Sequence, residues 1–252
     1  MNTRFTGAAM AVAALVWGAR GENVYKADNA LPLEDPLSWE GGAAPGPDDV
    51  AVFDERVTTN RTSFVLAADA GWAGVVFTNS VAPTNAMIGT VTLGTNGADA
   101  ATLTLGTNGV CLSGSGLALS LNLPLALGGA QMWQLDRRNV AFSGSVSGSD
   151  DWVLNMASQV VWNAASGYNG NLTVSNAVNY QRFYKAGRWA KSFKIVSSSG
   201  STRWEMAFTD SASWSELFAD RTASVGVWNG VTSGGTLQFE PGDSYTFSGG
   251  RF

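Results

Sequence analysis

Short apolar runs recur along the chain at 62–66, 74–78, 90–93, 102–105, 110–112, 117–127, 132–135, 140–146, 152–156, 160–162 and 172–174, with Gly, Ser, Asn or Asp between them. Most runs alternate apolar with polar residues or are rich in β-branched and aromatic side chains, the pattern of strands with one buried face. Apolar positions at helical spacing are nearly absent. The strictest alternation is Leu117-Ala118-Leu119-Ser120-Leu121-Asn122-Leu123-Pro124-Leu125, which predicts a long strand with a leucine face. Pro124 has no N–H to give to a ladder, so it predicts a bend or an edge there. Strands are expected again at 225–228, 237–240 and 245–248. A strand-to-strand spacing of roughly 8–12 residues fits a sandwich, a barrel or a solenoid, and local period alone does not separate them.

Internal similarity adds to the picture. Val91-Thr92-Leu93-Gly94-Thr95-Asn96-Gly97 returns, with one change, as Leu103-Thr104-Leu105-Gly106-Thr107-Asn108-Gly109. Asn and Gly tolerate the positive backbone angles of tight corners. The pair predicts two hairpin strands in a sandwich; in a solenoid it predicts two faces of one coil or equivalent corners on neighbouring coils.

The N-terminus carries a different pattern. A single Arg4 precedes the apolar run 5–19, and Ala19-Arg20-Gly21 places small residues three and one before a cut after Gly21. This is a signal-peptide layout, too short to span a bilayer. The expectation is a leader at 1–21 and no membrane helix after its removal. Loss of Arg4 and Arg20 takes the formal charge from −5 to −7, an acidic balance that argues against nucleic acid. Charged residues are only 14% of the chain, so neutral polar side chains must cover much of the surface. The 45% apolar content and 10 Trp still argue for a packed fold over a disordered linker. Cys111 is the only cysteine, so no intramolecular disulfide forms and stability must come from burial.

Candidate chemistry is sparse. The chain has no histidine, which removes Ser/His/Asp and Cys/His nucleophilic arrangements and the commonest zinc sites. Asp48 with Asp49, and Asp150 with Asp151, sit in turn-like segments, where Asp is favoured for its own sake, and no calcium-loop pattern surrounds them. Glu205 with Asp210, or Glu40 with Asp48, form conceivable carboxylate pairs without any signature of glycoside cleavage. The segment from Tyr180 to Trp204 interleaves basic and aromatic residues. Within it Tyr184, Arg188, Trp189 and Trp204 are the candidate ligand-binding residues, a stacking and cationic face for an anionic glycan. The competing view makes the same alternation an amphipathic strand pair, aromatics inward and charges outward. Trp133, Trp152, Trp162 and Trp228 are expected in the core, where a large ring releases the most apolar area from water. Ser213-Trp214-Ser215-Glu216 reads as a capping box opening a short helix. No catalytic residue, metal ligand or cofactor site is assigned.

The segment Trp39-Glu40-Gly41-Gly42-Ala43-Ala44-Pro45-Gly46-Pro47-Asp48-Asp49-Val50-Ala51-Val52-Phe53 resembles the N-terminal signature of bacterial surface proteins built from autotransporter-associated β-strand repeats. Gln131-Met132-Trp133-Gln134-Leu135, then Val140-Ala141-Phe142-Ser143-Gly144-Ser145-Val146-Ser147-Gly148, resembles their repeat unit, and Tyr168-Asn169-Gly170-Asn171-Leu172-Thr173-Val174 its closing segment. Val160-Val161-Trp162-Asn163 stands where that unit usually carries a Gly-x-Gly-x-Leu-x-Leu strand. The resemblance covers roughly 36–176 and implies a parallel β-helix in a longer protein with an anchoring or translocating part.

Together these readings predict an all-β, parallel β-helix-like solenoid with about 20–25 residues per coil. The leader at 1–21 is followed by an N-terminal cap at 22–57, with Trp39 to Phe53 as the cover, and by coils at 58–176. An irregular or helical insertion at 177–222 and terminal coils at 223–252 complete the chain. The expected function is a non-enzymatic, secreted or bacterial cell-surface structural protein of adhesin type, meeting an extracellular glycan or a surface protein. The alternative is an extracellular carbohydrate-binding or polysaccharide-cleaving module that uses the basic, aromatic segment.

Overall fold

The computed structural model describes residues 21–58, 63–78, 89–95, 101–113, 117–135, 139–156, 160–163, 167–177, 180–183, 190–197, 203–206, 218–225 and 245–247. Apart from a short 3-10 turn at Pro36–Ser38, every regular element among them is a strand. The first six are β1 (Asn23–Tyr25), β2 (Val50–Phe53), β3 (Ser63–Leu66), β4 (Ala70–Thr78), β5 (Gly89–Thr95) and β6 (Leu103–Ser113). Then come β7 (Leu117–Asn122), β8 (Leu125–Leu127), β9 (Gln131–Leu135), β10 (Val140–Phe142), β11 (Val146–Gly148) and β12 (Trp152–Met156). β13 (Val160–Trp162), β14 (Gly167–Tyr168), β15 (Asn171–Ala177) and β16 (Tyr180–Phe183) follow. The last four are β17 (Ala190–Ser197), β18 (Arg203–Met206), β19 (Phe218–Val225) and β20 (Tyr245–Phe247).

These strands sort into two sheets in which every ladder between named strands is parallel. The larger runs β1-β2-β4-β6-β9-β12-β15-β17-β19-β20, with β8, β11 and β14 attached beside it; the smaller runs β3-β5-β7-β10-β13-β16-β18. The chain therefore passes from one sheet to the other and returns to pair beside the strand it left. A parallel neighbour cannot be reached by a hairpin, so each return needs a crossover. In the middle of the chain the return is short and nearly constant: Gln131 pairs with Trp152, and Trp152 with Leu172. It is longer between β4 and β6, where Val75 pairs with Val110, and between β17 and β19, where Ser192 pairs with Thr222. The expected range of about 20–25 residues per return thus holds only for part of the chain.

The alternation read from the sequence is what fills the core. Strand β9 is buried at Gln131, Trp133 and Leu135 and exposed at Met132 and Gln134. β12 buries Trp152, Leu154 and Met156, and β13 buries Val160 and Trp162. Side chains from both sheets join one hydrophobic cluster. Aromatic rings bridge the sheets: Phe53 of β2 lies 4.6 Å from Phe64 of β3, and Phe142 of β10 lies edge-on to Trp152 of β12 at 5.5 Å. Rings also stack along each sheet, Phe53 on Phe77 and Phe142 on Trp162. Such offset and edge contacts add about 0.5–1.5 kcal/mol each beyond area burial.

Three expectations are corrected in detail. The stretch 117–127 divides into β7 and β8 at Leu123-Pro124, where the missing N–H ends the ladder. The runs 102–105 and 110–112 are one strand, β6, whose first half pairs with β8 and whose second half pairs with β9. The second Gly-Thr-Asn-Gly is accordingly no corner but a bulge inside β6, opposite the register shift between Trp72 and Gly74. Gly109 adopts φ +59° there, and a Cβ on it would lie 2.7 Å from Cδ1 of Trp133. The third correction concerns 177–222, expected to be an irregular or helical insertion. β16 and β18 extend the smaller sheet, and β17 and β19 the larger, in parallel register. Alternating basic and aromatic residues suit a strand with one buried face as well as they suit an insertion, and ladder continuity decides between them. The expected helix at 213–216 lies outside the described residues.

The expected N-terminal cap is part of the ladder system. β1 covers the free edge of β2, and Leu33 donates its N–H to the Val65 carbonyl beside β3 at 2.8 Å. Covering both edges removes a template for uncontrolled strand pairing. Trp39 closes the core beneath, edge-on to Phe53 and Trp72, with its Nε1 donating to the Leu33 carbonyl at 2.7 Å.

Candidate functional site

The sequence-derived ligand face is distributed as follows. Tyr184, Arg188 and Trp189 lie outside the described residues, while Trp204 sits on β18 as the register partner of Gln181. On the same pair of strands Arg182 is in register with Glu205. Asp210 and Trp228 also lie outside the described residues, whereas Trp133, Trp152 and Trp162 are in the core as expected.

Of the paired acids, Asp49 and Asp151 are tied into the fold through their carboxylates. Asp49 accepts the Glu22 N–H on Oδ1 at 2.9 Å and the Gly46 N–H on Oδ2 at 2.8 Å, which holds its carboxyl below the usual range. Asp151 accepts from the Asn171 side-chain amide at 2.8 Å, and the Asp150 carbonyl accepts the Tyr168 hydroxyl. Burial, with Asp151 and Asp150 nearby, pushes that hydroxyl far above the ordinary tyrosine range. Glu40 and Asp54 flank Arg56, whose guanidinium lies 3.8 Å above the Tyr25 ring. Among the described residues no group of three or more Cys, Asp or Glu side chains is arranged to hold a metal ion.

Two buried polar groups carried no signal in the sequence. Lys26 is only 1% exposed, and its Nζ donates to the carbonyls of Ala27 and Asn29 and to Asn29 Oδ1 at 2.8, 3.0 and 2.9 Å. Burial pushes its pKa down to about 8 against the opposing pull of Asp28. Gln131 donates from Nε2 to the Leu105 carbonyl at 2.6 Å and accepts from Trp133 Nε1 at 2.9 Å, so it ties β9 to β6 inside the core. Lys26 looks like any strand residue next to Tyr25, and Gln131 like the polar start of a strand; the Lys26 ammonium is met by its near neighbours Ala27 and Asn29, whereas the fold brings the Leu105 carbonyl to Gln131.

The surface best placed to meet another molecule is the outer side of the larger sheet. Gln134, Asn155 and Ser175 are register partners on β9, β12 and β15. Asn155 donates to Gln134 Oε1 at 2.6 Å, and Ser175 Oγ lies 3.4 Å from Asn155 Oδ1. Met132, Val153 and Thr173 form the adjacent column, with Met132 53% exposed. Cys111 continues the Gln134 column on β6; it is half-buried, and burial raises its thiol pKa, which weakens it as a nucleophile. This face offers hydrogen bonds and flat apolar contact.

No family model matches the chain, and neither the curated proteins nor the solved structures contain a match to it.

Proposed function

We propose that the chain is an exported, non-enzymatic structural protein of adhesin type, wound as a parallel β-solenoid and presenting its outer sheet face to a glycan or surface protein. The observation that carries this is the in-register ladder of Gln134, Asn155 and Ser175 on three successive parallel strands. A repeated row of short neutral side chains suits an extended contact made of many weak interactions. The all-parallel pairing, with returns near 20 residues in mid-chain, supports the solenoid. The leader-like segment and the resemblance to autotransporter-associated repeats support a secreted or bacterial cell-surface location.

Small-angle scattering of residues 22–252 tests the shape: an elongated profile is expected, and a globular one would reject the solenoid. Binding of the same protein to arrayed glycans and to immobilised surface proteins tests the contact. Asn155→Lys is expected to weaken any captured ligand at least several-fold. Undiminished binding in that variant, with loss in Trp204→Ala, would move the contact to the basic, aromatic segment and support the carbohydrate-binding alternative.

A further inference from the structure

The Glu22 backbone nitrogen is held in an unusual way for a residue ahead of an edge strand. It donates at 2.9 Å to a carboxylate oxygen of Asp49, while the Glu22 carbonyl accepts the Val50 N–H at 2.8 Å. The second Asp49 oxygen is fixed by the Gly46 N–H, so the carboxylate is positioned from two sides. Gly21 is pressed against the same turn: a Cβ on it would overlap the Asp48 carbonyl oxygen. The small-residue pattern at Ala19-Arg20-Gly21 ends at this residue.

We propose that a leader peptidase hydrolyses the Gly21–Glu22 bond and that the freed Glu22 α-ammonium forms an ion pair with Asp49, pinning the edge strand β1. Water supplies hydroxyl to the Gly21 carbonyl carbon and a proton to the Glu22 nitrogen; the new amine then takes a second proton from solvent. The nitrogen needs no displacement to make the ion pair, because it already contacts Oδ1. Conversion of a neutral N–H donor to an ammonium strengthens the bond, as charge-assisted hydrogen bonds exceed neutral ones about two-fold. The groups that face the amine are acids: Asp49 in contact, Asp48 beside it in the turn, and the side chain of Glu22 itself. β4, which donates the Ala73 N–H to the Asp49 carbonyl, carries no titratable side chain. The pair therefore raises the amine pKa. Its contribution to stability is complete below the ordinary α-amine value of about 7.7–8.0 and is lost as pH rises through the folded value. On the acid side it is lost as Asp49 protonates.

The proposal rests on reading 1–21 as a leader, and two measurements keep the two failures apart. N-terminal sequencing of the exported protein is expected to begin at Glu22; an intact N-terminus, or another first residue, overturns the cleavage. Separately, a chain released from a fusion partner so that it starts at Glu22 is titrated by NMR at its 15N-labelled α-amine. A midpoint about one unit above the ordinary α-amine value is expected, falling back in Asp49→Asn. A chain starting at Gly21, otherwise unaltered, makes the same comparison if Asp49→Asn does not fold. Equal midpoints in the Glu22-start chain and its comparison would overturn the ion pair, whatever the processing.

Discussion

Phe142 and Trp162 lie ring on ring, with centroids 4.5 Å apart and planes within 10° of parallel, on neighbouring strands of the smaller sheet. Trp152, from the facing sheet, meets both edge-on, at 5.5 and 6.0 Å. The three rings join the two sheets at one level of the core.

Truncation at this junction is expected to be costly. Phe142→Ala leaves a cavity among Trp133, Trp152 and Trp162, and large-to-small changes of this kind cost about 3–5 kcal/mol. Urea unfolding followed by tryptophan fluorescence checks it. Phe142→Leu, which keeps most of the volume, is expected to lose less than half as much.

Gln131 tests the buried polar tie. Replacing it with Leu leaves Trp133 Nε1 without its partner inside the core, at about 1–3 kcal/mol for a buried group left unmet, while the Leu105 carbonyl keeps the Gly128 N–H at 2.7 Å. Combining Gln131→Leu with Trp133→Phe removes the orphaned group. The double variant is therefore expected to be more stable than the sum of the singles, measured in the same unfolding experiment.

Gly109 and Gly41 separate two reasons for glycine. Both have positive φ, +59° and +87°, but a Cβ on Gly41 meets nothing within 4 Å. Gly41→Ala is expected to cost about 1–2 kcal/mol, from the backbone conformation alone. Gly109→Ala adds the collision with Trp133 and is expected to cost at least 1 kcal/mol more, with a shift in the Trp133 indole resonance as its signature.

Lys26 gives a pH dependence with a defined sign. Its folded pKa is lowered to about 8, whereas the unfolded chain holds the proton up to about 10.5. Between these values the unfolded state binds more protons, so this group makes stability rise with pH across that window. Below about pH 8 both states are protonated and the dependence vanishes. Stability of the wild type relative to Lys26→Met, measured from pH 7 to 11, is expected to climb through the window and then level off. A flat difference would mean that the amine titrates normally.

Much of the strand content was legible locally because a strand's period of two is a property of neighbouring residues. Trp133, Trp152 and Trp162 could be placed in the core, and Pro124 at a break, from their chemistry and flanking residues alone. The ligand face was less legible. Gln134, Asn155 and Ser175 are unremarkable one at a time, and they become a feature only when ladders bring them into register.

The two copies of Gly-Thr-Asn-Gly mark where local information ends. Leu93-Gly94-Thr95 closes β5 in the smaller sheet, while Leu105-Gly106-Thr107-Asn108-Gly109 runs on through β6 in the larger one. What differs is the company: Gly74 on β4 and Trp133 on β9 press on the second copy. By itself the amino-acid sequence determined that the chain would form short strands with an aromatic, leucine-rich inner side, since alternation and ring size act at close range. Tertiary structure alone decided which strands became neighbours, that β16 to β19 joined the sheets, and that Lys26 and Gln131 would be buried. Those outcomes depend on contacts between residues 20 or more positions apart, made only when the chain returns beside itself.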